Sequence, residues 1–532
     1  MLTRDADPFV PSSTTGDAGT NIRWLLGESS LPAHIDPDRL ALRWGSTDVT
    51  YGELRARAIR LAAGLRRSGL QVGDRVCTLL HNRGETFELY FACAYAGLTL
   101  VPINFRMVAR EVAFVLRDCD ARMLISEPSL EDVAVGALDE VTDVGFVVLD
   151  ADESGADYEA LLDPDLPPGA FGTTDPHIIL YTSGTTGRPK GVMLSHTAVM
   201  WFALQQAALY PAMDEHMVML LTGPTFNTAS INEQSIPTFL VGGTVTILPS
   251  GGWTPQRTSD LIDRWGVTHA VIFPGQMEQF LDADSRSRIG LESMRFALTG
   301  GENCPTATVA RFRRRWDHLS VAIGYGLTEA GVITWIRDEE LDAHPDSVGR
   351  SFGAQTFRVV DAEGHPVPAG VTGEVVTAAP VVTSGYWNAP DLTDAAVRGG
   401  WLWTGDLGRV DDDDYLYISG RSKDMIISGG QNIYPAEIEN ALSEHTGLLE
   451  ATIIGVPDPQ WGETVCALVV PKDGVSLTDA DIVSFLQERL ASYKKPRHVV
   501  FMDSLPRNPS GKVMKRELRE RFSDLGQARG ET

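Results

Sequence analysis

Tyr181-Thr182-Ser183-Gly184-Thr185-Thr186-Gly187-Arg188-Pro189-Lys190-Gly191 gathers four Ser/Thr hydroxyls, three glycines and two cations into eleven residues. Ile178-Ile179-Leu180 precedes it and Val192-Met193-Leu194 follows, so the segment reads as a loop between two short strands. Glycines let backbone N–H groups close on an anion, the hydroxyls donate further hydrogen bonds, and Arg188 and Lys190 supply positive charge. That chemistry suits phosphate, and an ordinary surface turn needs no such density of donors. The loop is not of the Walker type, which requires G-x-x-x-x-G-K-[ST] running into a helix. Here Pro189 precedes the lysine and Gly191 follows it.

The rest of the chain is long enough to surround such a loop. At 532 residues it exceeds a single core and divides into two or more domains. Apolar content of 43% and charged content of 22% are those of a globular enzyme. A net charge of −26 disfavours nucleic acid and anionic membrane surfaces as partners while leaving room for a local cationic site. The five cysteines (Cys77, Cys93, Cys119, Cys304, Cys466) form no C-x-x-C pair, which argues against a disulfide framework or zinc site and for a reducing, cytoplasmic setting. Met1 to Thr20 lacks a basic stretch followed by an apolar core, so a disordered tail and not a signal peptide is expected there. No window approaches the roughly 18 to 20 apolar residues of a membrane span.

Helix and strand patterns alternate. Thr50-x-x-Glu53 predicts a capping box ahead of a helix with Leu54, Ala58, Leu61 and Leu65 on one face and Gly69 at its end. Strands are predicted at 75–80, 98–102 and 123–125 and helices at 85–96 and 108–116, a doubly wound α/β pattern. It resumes with apolar runs at 217–221, 244–248, 269–273, 295–298 and 321–323. Short strands and turns between 348 and 418 indicate a small β subdomain. A compact α+β unit follows a boundary at Lys423, with helices near 436–443 and 479–490 and strands near 451–456, 465–470 and 499–502.

Further motifs follow the loop. Tyr325-Gly326-Leu327-Thr328-Glu329 comes after the run 321–323, which places Glu329 at the carboxyl edge of a parallel strand, where open α/β sheets bind ligands. A helix cap is the competing reading of that string alone. Thr299-Gly300-Gly301-Glu302 leaves the strand 295–298 and is also compatible with a strand-to-helix turn that starts a helix at Glu302. Trp403-Thr404-Gly405-Asp406 and Ser419-Gly420-Arg421-Ser422-Lys423-Asp424 carry an acid and a base. Ser428-Gly429-Gly430-Gln431-Asn432 is either a plain loop before a helix begun by Pro435 and Glu437, or a close-approach surface. Leu505-Pro506-Arg507-Asn508-Pro509-Ser510-Gly511-Lys512 is the last.

Taken in order, these strings resemble the adenylate-forming superfamily of acyl-CoA synthetases, adenylation domains and luciferases, and most resemble an AMP-forming acyl-CoA synthetase. The resemblance runs from about Thr50 to Lys512. It implies a large ATP- and acid-binding domain (21–422) of doubly wound α/β subdomains plus a small β subdomain, followed by a small mobile α+β domain (423–532). It implies activation of a carboxylic acid by ATP to an acyl adenylate, with pyrophosphate released, and transfer to the thiol of CoA.

By the same resemblance Thr182, Ser183, Gly184, Thr185, Thr186, Gly187 and Lys190 hold phosphates, and Thr182 and Glu329 hold Mg²⁺. Gly300, Gly301 and Glu302 flank the adenine, Tyr325, Gly326 and Thr328 also bind the cofactor, and Asp406 and Arg421 take the ribose. Lys512 is the catalytic cation, Lys423 the hinge, and Gly429 and Gly430 the pantetheine passage. The implied partners are the acid, ATP and CoA, with a carrier protein or a second copy of the chain as further candidates. Delivery of the adenylate to a carrier-protein thiol or to a nitrogen or oxygen nucleophile is the alternative reading, and a nucleotide-binding protein without chemistry a third.

The acid pocket departs from the family. Where P-x-F-H is common this chain has Pro224-Thr225-Phe226-Asn227, and Phe273-Pro274-Gly275-Gln276 replaces V-P-T-M. Two readings stand: drift in a pocket for a simple acid, or a pocket of Phe226, Asn227 and Phe273 that selects a small, aromatic or functionalised acid whose polar group meets Asn227.

Overall fold

The structure is a computed structural model that describes residues 21–27, 30–150, 158–162, 174–182, 189–487, 489–507 and 513–525. The expected tail 1–20 and the expected roles of Ser183, Gly184, Thr185, Thr186, Gly187 and Lys512 lie outside those residues.

Local chemistry starts the elements where expected. Thr50 Oγ1 accepts from Glu53 N at 3.2 Å and Glu53 Oε2 accepts from Thr50 N at 2.8 Å, and the helix Tyr51–Arg67 runs from this box. Its Leu54, Ala58, Leu61 and Leu65 are fully buried, and Gly69 turns the chain away at φ +97°. Seven strands form one sheet in the order Gly385–Tyr386, Lys190–Leu194, Ile178–Thr182, Thr99–Ile103, Arg75–Leu79, Ala121–Ser126, Gly145–Val148. It is parallel except at the phosphate hairpin and the short strand beside it.

A nine-stranded sheet begins with Arg350–Ser351, Gly331–Ile336, Ser320–Leu327 and Phe296–Gly300, continues through His269–Val271, Val218–Leu221 and Thr244–Ile247, and ends with the hairpin Leu40–Trp44 and Thr47–Thr50. The helices Tyr51–Arg67, Glu85–Ala96 and His196–Leu209 fill the layer between the two sheets and bury one shared apolar core. Pro255–Trp265, Pro274–Arg286 and Thr306–Arg315 cover the outer face of the larger sheet, and Ala109–Asp118 and Glu131–Leu138 that of the smaller.

A small β subdomain is built from Thr356–Val360, Gly373–Ala378, Trp401–Val410 and Leu416–Arg421. The turn Ser422–Asp424, which contains the expected hinge Lys423, connects it to the C-terminal domain. There Leu448–Asp458 and Gly462–Pro471 pair antiparallel, His498–Phe501 joins in parallel, and the helices Pro435–Ser443 and Asp479–Gln487 pack on one face. The chain is thus a mixed α/β protein with a large N-terminal and a small C-terminal domain. Among the described residues no helix is long and apolar enough to cross a membrane.

Candidate active site

Thr182 pairs with Lys190 at the end of the hairpin Ile178–Thr182 and Lys190–Leu194. One short segment ties this hairpin to the Glu329 turn of the other sheet. Gly385 and Tyr386 pair with Met193 and Val192, Thr383 N donates to Glu329 O at 2.7 Å, and Tyr386 Oη donates to Glu329 Oε1 at 2.8 Å. Lys190 Nζ lies 4.3 Å from the centre of the Tyr386 ring. The segment therefore sets Thr182, Lys190, Tyr386 and Glu329 side by side where two sheets end. Burial, and then the Glu329 carboxylate, push the Tyr386 phenol upward, so it stays a donor at neutral pH.

Glu329 stands in the tight turn between Ser320–Leu327 and Gly331–Ile336, which is a hairpin and not the helix cap that the string alone allows. Among the described residues no group of three or more His, Cys, Asp or Glu forms a metal cage. The oxygens that are present, the half-buried Glu329 carboxylate and Thr182 hydroxyl, suit a hard cation that keeps water and phosphate as its other ligands. Mg²⁺ carried by a nucleotide fits that donor set.

Beside this turn Asp406 is 5% exposed. Arg421 Nε is 2.7 Å from Asp406 Oδ1, and Tyr325 Oη donates to Oδ2 at 2.7 Å. The pairing of Asp406 with Arg421 across the strands Trp401–Val410 and Leu416–Arg421 holds this geometry. Burial, and after it Asp406, keep the Tyr325 phenol protonated. Gly326 and Thr328 lie beside Tyr325 at the end of the same strand and in the turn that follows.

Gly300 leaves its strand at φ +154°, and a Cβ there would stand 2.2 Å from Gly324 O, so no other residue fits. Gly301 faces the Phe273 ring. Glu302 does not start a helix, because the next helix is Thr306–Arg315. Instead its carboxylate meets Arg507 of the C-terminal domain at 3.5 Å. Asn303 Nδ2 donates to Asn440 Oδ1 at 2.7 Å across the same boundary.

Arg507 also pairs with Glu450 and forms a bridge with Val513, so the two residues that flank Asn508–Lys512 are held beside the Gly301–Glu302 turn. Gly429 and Gly430 form the turn between Ile426–Ser428 and Gln431–Ile433. They are exposed, as are Ile427 and, in part, Trp461, whose ring lies against Gly429.

On the acid side Phe226 meets the Phe105 ring edge-on at 5.5 Å, and Asn82 donates to Gly223 O and Leu248 O while accepting from Thr225 N. Asn227 O accepts from Ser230 N and Ile231 N where the chain turns into a π-helical segment, Ala229–Gln234. The residue is half-buried, so its amide keeps access to water.

Buried side-chain amides with neither atom partnered among the described residues lie at Gln205 and Gln206 of the helix His196–Leu209, 8% and 1% exposed, and at Gln234 of the π-helical segment. Sequence reasoning misses Gln205 and Gln206, and Tyr386 as well. The signals that could find them are a Gln-Gln doublet inside an otherwise apolar stretch, Val199 to Leu209, and a Gly-Tyr-Trp string after the β subdomain's first strands.

With this geometry in place, comparison with known proteins is specific. The family model for the AMP-binding enzyme matches residues 32–387, and the model for its C-terminal domain matches 437–512. A feruloyl-CoA synthase of Amycolatopsis is 40% identical over 92% of this chain and 97% of its own. The indoleacetate–CoA ligase of Aromatoleum aromaticum is 36% identical over 92% and 96%. ATP-bound MatB from Rhodopseudomonas palustris, 31% identical, superposes with a TM-score of 0.86 over 95% of this chain and all of its own. The apo form of the same protein gives 0.76, with 96% and 100% covered.

Proposed function

This chain belongs to the AMP-binding enzyme family, an AMP-forming ligase superfamily, and from that premise we propose that it joins a carboxylic acid to CoA through an acyl adenylate. The observation that carries the reading is the meeting of Thr182, Lys190 and Glu329 through Tyr386 at the ends of two sheets, beside the Asp406–Arg421 pair. These side chains would supply a phosphate grip, a cation ligand and a ribose acceptor at one cleft edge.

In the first half-reaction a carboxylate oxygen attacks the α-phosphorus of ATP and the bond to pyrophosphate breaks. The two anions repel by about 4 kcal/mol per charge pair near 4 Å at an effective dielectric of 20, roughly a thousandfold in rate. Lys190 and Lys512 offset that repulsion from the protein's side. Bound at Glu329 and Thr182, Mg²⁺ would supply a Lewis acid for the phosphate oxygens. Ser183, Gly184, Thr185, Thr186 and Gly187 would donate to the same oxygens. Gly300, Gly301, Glu302 and Tyr325 would flank the base, with Gly326 and Thr328 behind it. Asp406 would exchange part of its present bonding for the ribose hydroxyls.

In the second half-reaction the thiol attacks the carbonyl carbon, AMP leaves, and the thiol proton goes to solvent. The docking of Arg507 on Glu302 and the exposure of Gly429 and Gly430 support an arrangement suited to the first step, as does the better match to ATP-bound than to apo MatB. Rotation about Lys423 would then bring Gly429 and Gly430 to the cleft for pantetheine.

The test separates the two steps. Acid-dependent ATP–pyrophosphate exchange without CoA, followed by acyl-CoA and AMP formation once CoA is added, is expected. AMP release with a carrier-protein thiol or an amine, but not with CoA, would move the second step to that nucleophile. Absence of exchange with every acid would defeat the reading altogether.

A further inference from the structure

The two domains meet without a shared apolar core. Among the described residues each hydrophobic cluster lies wholly on one side of the turn Ser422–Asp424. The helices Pro435–Ser443 and Thr306–Arg315 approach each other across the boundary, and the side chains that join the domains are polar. Asn303 meets Asn440, Arg286 lies 3.9 Å from Asp473, and Glu302 lies 3.5 Å from Arg507. Asp473 is 97% exposed, so water and salt screen its pair with Arg286.

Glu302 and Arg507 differ from that pair because each is held from its own side. Glu302 Oε1 accepts from Gly275 N at 3.5 Å in the first turn of the helix Pro274–Arg286, a position that favours a carboxylate, and Oε2 is left for Arg507 Nη1. Arg507 Nη2 donates to Glu450 Oε2, while Glu450 Oε1 accepts from Leu505 N at 3.4 Å. Neither side chain has to be ordered at the moment of docking, which removes the main penalty that weakens ordinary surface pairs. At 24% and 35% exposure the contact is still open enough to water to release in each turnover.

Each partner is also tied to the machinery of its domain. Arg507 forms a bridge with Val513, and Met514 N donates to Pro506 O at 2.8 Å, so fixing Arg507 fixes both ends of the segment in whose sequence Lys512 stands. Glu302 follows Gly301, which faces the Phe273 ring, and its bond to Gly275 falls within the acid-side string Phe273-Pro274-Gly275-Gln276.

Resting on the ligase reading above, we propose that Glu302 and Arg507 are a positioning pair that holds the C-terminal domain in the arrangement for acyl adenylate formation. Glu450 keeps the guanidinium paired and oriented when the contact opens, so the domain leaves for the thiol step and returns with Arg507 already in place. Glu302 thus acts on the first half-reaction through Arg507, a role separate from its place beside the base.

The test is a double-mutant cycle on kcat for ATP–pyrophosphate exchange at saturating ATP and acid, with acyl-CoA formation from supplied acyl adenylate measured alongside. Arg507→Gln should lower exchange about 3- to 10-fold and leave thioester formation unchanged, and Arg507→Lys should restore part of the loss. Glu302→Gln should lower exchange by a similar factor, and the double variant should lose no more than either single one, since all three remove one contact. Glu450→Gln, which breaks only the pair inside the small domain, should lower exchange less than Arg507→Gln does. Losses that multiply in the double variant, or a loss in Arg507→Gln that Glu450→Gln reproduces and Glu302→Gln does not, overturn the inference and leave the ligase reading intact. Equal slowing of both half-reactions by Arg507→Gln does the same. Absence of exchange by the parent with every acid overturns the ligase reading, and the role of the pair with it.

Discussion

Asp406 and Gln206 are both buried polar side chains, one at the edge of the cleft and one in the helix His196–Leu209, and they are treated differently. Asp406 holds Arg421 and Tyr325, one on each oxygen, whereas Gln206 holds nothing among the described residues. Asp406 is thus satisfied by the protein's own side chains before any ligand arrives. The Gln206 amide adds no bond of its own to the helix in which it lies.

The strongest way to break this contrast is to remove charge at the nucleotide end. Lys512→Ala should lower ATP–pyrophosphate exchange by about a thousandfold, the size of the anion repulsion it offsets. Thioester formation from supplied acyl adenylate should persist. Equal loss in both steps by a folded protein would show that Lys512 does not belong to adenylation alone.

Asp406→Ala should raise the KM for ATP by about 10- to 100-fold, the range for a hydrogen bond to a charged group. Preference among acids should not change, and a shift in that preference would show that Asp406 also bears on the acid. Tyr386→Phe removes one bond to Glu329 and should raise the Mg²⁺ concentration needed for half-maximal exchange by about 3- to 10-fold. An unchanged Mg²⁺ requirement would make Tyr386 only a strand residue.

The smallest expected effect on activity sharpens what an unpartnered group means. His177 and His196 stack at 4.4 Å in the core, and neither His177 nitrogen has a hydrogen bond among the described residues. Burial, and then His196, push His177 well below its usual range, while burial, and then Arg23, lower His196 to about 3. Folded-state values below the unfolded value favour the native state fully above about pH 6.5. That stability is lost progressively as pH falls toward 3 and the unfolded chain gains protons. His177→Phe should therefore flatten the decline of thermal midpoint between pH 6.5 and 4 and leave acid preference at neutral pH untouched. A steeper decline in the variant would reverse the sign assigned to this pair.

Much of the fold and of the nucleotide end is legible in the amino-acid sequence, and what is not legible has physical reasons. The Thr50–Glu53 box, the phosphate hairpin and the strand leading to Glu329 are set by neighbours within a few residues, so local pattern suffices. Glu302 reads as a possible helix start because its true partner, Arg507, lies 205 residues away. Tyr386 escapes notice for the same reason, since its bond to Glu329 spans 57 residues. Asn227 stands out as a departure in a familiar string, yet its burial depends on the π-helical turn that follows, which no periodicity announces. Gln205 and Gln206 are visible as polar residues in an apolar helix, but an amide's lack of partners is a property of packing and not of order along the chain.

The most direct test follows one oxygen. With the acid labelled by ¹⁸O in its carboxylate, a single turnover with ATP and CoA should yield AMP carrying one labelled oxygen, pyrophosphate without label, and a thioester that keeps the other. Only attack of the carboxylate on the α-phosphorus, followed by thiol attack on carbon, distributes the label this way. Unlabelled AMP, or label found in inorganic phosphate alongside ADP, would contradict the acyl adenylate on which the assignment of these residues depends.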